Sequence, residues 1–75
     1  MGAKVPVSKR ALLQRINRAL AKQDQMVRTA RRLDHNLGWY YRVDYMQNFL
    51  VEAHVDIEAL GRDIGVLREW EDMSE

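Results

Sequence analysis

The 75-residue chain has no cysteine, 47% hydrophobic and 31% charged residues, and a formal net charge of +1. The missing cysteine excludes disulfides and thiolate metal sites, the balance of apolar and charged residues argues against disorder, and no apolar run approaches the roughly 20 residues that span a bilayer as a helix. A chain of this size buries only about 60% of its unfolded surface, so one small domain with little room for an enclosed pocket is expected.

The net charge conceals an uneven split. Residues 1–32 carry nine Lys/Arg and a single acid, Asp24, for a net +8, whereas residues 33–75 carry three Arg and ten Asp/Glu, for a net −7. Such a division points to a polyanionic partner for the first half, to pairing between the halves, or to both.

In chain order, residues 1–7 read as a flexible arm without the apolar segment of a secretory signal, and a cytoplasmic location is expected. Ser8 suits an N-cap, because its hydroxyl accepts from an orphan amide of a first helical turn. From there the pattern predicts one helix over residues 8–33. Leu13, Ile16, Leu20, Val27 and Ala30 fall on one arc, and Arg10, Arg15, Arg18, Lys22, Arg28 and Arg32 fall on the opposite one. Gly38 closes a loop signal that begins at Asp34.

The period then changes to two, and residues 38–55 read as an antiparallel hairpin. Trp39, Tyr41, Val43, Phe49, Val51 and Val55 share the expected buried face, and Tyr40, Arg42, Glu52 and His54 the outer one. Pairing Val43 with Val51 leaves Met46, Gln47 and Asn48 as a three-residue loop, with Asn48 in the left-handed position. The same register sets Arg42 opposite Glu52 and Tyr40 opposite His54. Asp56 caps a short helix within residues 56–65, with Ile57, Leu60 and Ile64 inward and Gly65 as its left-handed stop. Val66 and Leu67 then fold back onto the core, and residues 68–75 form an acidic tail anchored by Trp70. The expected fold is therefore α+β in the order α-β-β-α, with both helices on one face of a hairpin that needs their cover. The long helix outruns that cover. Met26, Val27 and Ala30 are then left for contact with a second copy in a homodimer, unless the helix breaks near Gln23-Asp24-Gln25 and leaves a monomer.

No nucleophile-elbow, P-loop, zincin or dinucleotide motif occurs, which argues against an enzyme. His54 with Asp56, Glu58 and a distant His35 matches no zinc spacing, so neither metal nor cofactor is expected. Leu60 to Val66 resembles the opening of a helix-turn-helix, but the following segment is acidic and phosphates would repel it. The basic arc is the stronger signal. Five of its six cations are Arg, suited to bidentate phosphate contact, and they predict weakly sequence-specific binding to the backbone of a nucleic acid. Tyr40, Arg42 and His54 form a possible second surface for stacking bases, set against the more ordinary reading as cross-strand pairs.

The segments Ser8 to Arg18, Gly38-Trp39-Tyr40-Tyr41-Arg42-Val43-Asp44 and His54 to Leu67 resemble a family of short uncharacterised proteins carried on plasmids and integrative elements of proteobacteria. The resemblance implies a setting among mobile-element cargo and assigns no functional residue. Two functions stand open: a nucleic-acid-associated accessory protein, or a protein-interaction module such as an anti-defence inhibitor or regulatory adaptor that docks on an oppositely charged protein surface. No membrane partner is expected.

Overall fold

The computed structural model describes residues 4–34 and 36–74. Its elements are β1 (Val5–Ser8), α1 (Lys9–Leu20), a 3-10 turn (Ala21–Gln23), β2 (Gln25–Asp34), β3 (Gly38–Asp44), β4 (Phe49–Glu52), α2 (Ile57–Asp63) and β5 (Glu71–Ser74). The fold is a small α+β arrangement. β2, β3 and β4 form an antiparallel sheet in that order, and β1 pairs with β5 in parallel.

α1 begins as its sequence dictates, with the Ser8 hydroxyl accepting from Ala11 N at 3.1 Å. Leu12, Ile16 and Leu20, four residues apart, are fully buried along its inner side. Leu12 thus leads the buried line, and Leu13 packs at its flank. The expected helix over residues 8–33 stops at Leu20. Asp24 adopts φ 59°, ψ 35° in the left-handed region, which reverses the chain after the 3-10 turn. Asp24 O then accepts from Tyr45 N at 3.0 Å. Residues 25–34 run as a strand because tertiary bonds outweigh their helix propensity. Chief among these, the Asn17 side chain accepts from Val27 N at 2.7 Å and donates to Val27 O at 3.2 Å, standing in for a neighbouring strand. Val27 is buried as a result, which removes it from the contact with a second copy expected at Met26, Val27 and Ala30.

The sheet presents the opposite face to the core from the one its alternation suggested. Val27 pairs with Arg42 and Thr29 with Tyr40, and it is Val27 and Tyr40 that meet the core. Trp39, Phe49 and Val51, expected inside, are exposed. The cause is lateral distance: β2 is the strand that packs on α1, and β4 lies two strand spacings, about 10 Å, beyond it. Arg42 does face Glu52, but a bulge at Val51 sets Val43 opposite Leu50. The connection is the four-residue stretch 45–48, with Asn48 at φ 59° as expected. Tyr40 O accepts from Val55 N at 2.9 Å, so Tyr40 is not paired with His54.

Asp56 caps α2 by accepting from the amides of Glu58 and Ala59. α2 packs chiefly on α1 and does not lie beside it across the hairpin. Gly61 permits this approach, since a Cβ there would sit 2.9 Å from Leu12 Cδ1. Beyond Gly65, at φ 79°, the amides of Val66 and Leu67 donate to Gly61 O, and Leu67 enters the core. Of the arm and the tail, residues 5–8 and 71–74 form the parallel pair β1–β5, with Val7 and Glu71 buried, while residues 1–3 and 75 lie outside the described residues. The basic N-terminal segment has the acidic C-terminal one as its strand partner, and Lys4 meets Asp72 at 3.5 Å. Among the described residues no helix is long and apolar enough to cross a membrane.

Candidate nucleic-acid interface

The outer side of α1 exposes Arg10, Gln14 and Arg18 at successive turns, and Lys22 on the 3-10 turn continues the line. Beside it runs an open groove of about 650 Å³, lined by Arg15, Arg18 and Lys22 on one wall and by Val66, Arg68 and Trp70 on the other. The second wall is a tight turn in which Glu71 N donates to Arg68 O at 3.0 Å and Arg68 N donates to the Glu71 carboxylate at 3.0 Å.

Two arginines are consumed in building that wall. Arg15 Nη1 reaches Glu71 Oε1 at 2.9 Å and Val66 O at 3.1 Å. Arg62 donates to Arg68 O at 3.2 Å and to Glu71 O at 3.1 Å, and also approaches Asp72 and Glu58. The Trp70 carbonyl is held as well, accepting from Val5 N at 2.8 Å. The backbone of the turn is therefore fixed, while the indole stands out of it, 62% exposed.

Glu71 is the acid that makes this possible. The Arg15 hydrogen bond, together with the Arg68 amide, lowers its pKa below the ordinary carboxylate value, against a smaller upward push from burial. Glu71 neutralises one cation of the groove. Arg18, Lys22 and Arg68 make no ion pair among the described residues. The groove is left with three free cations beside a presented aromatic ring. That combination suits phosphates flanking a planar base, because cations track the charge and an indole accepts the face of any base.

Of the six cations on the expected basic arc, Arg15, Arg18 and Lys22 meet at this groove. Arg10 lies further along the same helix, outside the lining. Arg28 and Arg32 are exposed on β2. Arg28 there borders Tyr41, Val43 and Leu50 on the sheet's outer side. The break at Asp24 divides the arc. Of the possible second surface, Tyr40 packs on the core and lines one cleft with Trp39 and His54, and Arg42, whose Nε donates to Gln25 Oε1 at 2.6 Å, lines another with His54, Glu52, Asp56 and Asp63. The three carboxylates of the second cleft disfavour phosphate there. Met26 and Ala30 are half-buried on β2.

Sequence reasoning missed Arg68 as a site residue and read Trp70 only as an anchor. The signal was a single base two residues before a tryptophan in an otherwise acidic tail. Among the described residues no three His, Cys, Asp or Glu side chains gather to hold a metal ion; His35 lies outside them. No family model matches the chain, and no curated protein or solved structure is significantly similar to it.

Proposed function

We propose that this protein is a nucleic-acid-associated accessory protein that acts by binding and not by catalysis. Arg18, Lys22 and Arg68 contact phosphates, and Trp70 stacks on an unpaired base. The observation that carries this reading is the groove itself, where three cations without internal partners flank an indole presented on a braced turn. Each phosphate neutralised releases counterions, and each stacked base adds about 1–3 kcal/mol without reading sequence. A single strand is favoured over a duplex, because an indole needs an unstacked base. Arg15 has a different part: it sets the wall of the groove through Glu71. The resemblance to plasmid and integrative-element proteins is in keeping with a role in the maintenance or regulation of a mobile element.

The test is fluorescence anisotropy of labelled single-stranded oligonucleotides. Arg18→Glu with Lys22→Glu should abolish measurable binding while the circular dichroism spectrum stays unchanged, since both side chains are exposed. Trp70→Ala should weaken it about 5- to 150-fold, the equivalent of one lost stack. A folded double variant that binds as the wild type does would overturn this groove as the binding site, and a wild type that binds no oligonucleotide would favour docking on an oppositely charged protein surface.

A further inference from the structure

We infer that two copies of this chain pair through the free edge of β4, antiparallel about a two-fold axis, joining two three-stranded sheets into one of six strands. The inference is independent of the groove, which lies along α1.

The two edges of the β2–β3–β4 sheet are built differently. At β2 the edge is closed by the Asn17 side chain bonded to both Val27 N and Val27 O, and beyond it stand Arg28, Arg31 and Arg32. Charged residues and side-chain cover are the usual means of keeping an edge from pairing. β4 has neither. Its sequence is Phe49-Leu50-Val51-Glu52, all four residues are exposed, and it has no strand on its outer side among the described residues. The preceding turn exposes Tyr45 and Met46 as well, so among the described residues five of the eight exposed large apolar side chains fall between positions 45 and 51.

Three observations identify the occupant as a second copy. First, charge permits it. Glu52 is the single charge on β4, and in an antiparallel pairing centred on Leu50 or Val51 it faces no other acid. Most of the basic residues lie on β2 and on α1; Arg42, on the adjoining β3, faces Glu52. Second, there is apolar surface to bury: Tyr45, Met46, Phe49, Leu50 and Val51 are each 38–69% exposed, and a cluster of exposed apolar residues marks an interaction site. Third, a two-fold pairing of identical strands consumes the edge and closes, where an unpaired apolar edge recruits chains without limit.

Sedimentation or light scattering across the micromolar range should give twice the 8.8 kDa chain mass. Leu50→Lys and, separately, Phe49→Lys should return the single-chain mass with the fold kept, because both side chains are exposed in the isolated chain. The chain has no cysteine, so an introduced thiol reports contact without ambiguity: at least one of Leu50→Cys and Val51→Cys should oxidise to a covalent dimer. Wild type at the single-chain mass throughout, or a dimer that survives both lysine substitutions, would overturn the inference.

Discussion

Two regions of this molecule are held by different means. Around α1, the side chains of Val7, Leu12, Ile16, Leu20, Ile57 and Leu67 form a continuous core, and Gly61 lets α2 approach closely enough to seal it. The β2–β3–β4 sheet adds Val27 and Tyr40 to that core and then extends away from it, with Phe49, Leu50 and Val51 in solvent. The radius of gyration, 12.9 Å, exceeds the roughly 11.3 Å of a compact chain of this length. The contrast teaches that apolar sequence does not by itself mark the core of a small protein. One 12-residue helix can cover two strands, and the apolar residues of a third are left for another purpose.

The largest effect should come from the first region. Leu12→Ala removes a fully buried side chain and should cost about 2–5 kcal/mol of unfolding free energy in urea titration. A loss as small as that of a surface substitution would place the core elsewhere. Next comes the joint between the regions. Asn17→Ala leaves the amide and carbonyl of buried Val27 without partners and should cost about 1–3 kcal/mol. Hydrogen exchange should quicken in β2 and β3 before α1; equal quickening everywhere would deny that the sheet hangs from this joint.

A smaller effect concerns the parallel strands. Glu71 has a lowered pKa in the folded chain, so its stabilisation is fully present above the ordinary carboxylate range. It declines as pH falls through that range, and below the lowered value it is gone. Glu71→Gln should flatten this part of the stability profile, and an unaltered acid limb would remove the Arg15 pair from the account. Smallest of all, Phe49→Ala should cost about 1 kcal/mol or less, measured where only the monomer is present. A loss of several kcal/mol would mean that β4 is part of the core after all.

The local signals in the sequence were legible where a side chain acts on its own neighbourhood. Ser8 and Asp56 cap helices, Gly65 and Asn48 take left-handed positions, and Arg42 faces Glu52. What depended on distant partners was not. Val27 and Ala30 are three apart, a spacing that continues the helical stripe of Leu20, and it is the ladder with β3 and the bonds from Asn17 that decide for a strand. Both faces of β3 carry aromatic residues, so alternation told which residues share a face but not which face is buried. The acidic tail became a strand because Glu71 has Arg15 as a partner 56 residues away. The groove shared this difficulty: Arg18 and Lys22 stood in the basic arc, but Arg68 and Trp70 reach them only through the fold.

The salt dependence of oligonucleotide affinity tests the central claim most directly. Three phosphate contacts on a single strand predict a slope of about −2 in log K against log salt. Arg18→Gln should make that slope shallower by about 0.7, the share of one contact. A wild-type slope near zero, or one that Arg18→Gln leaves unchanged, would contradict binding at this groove.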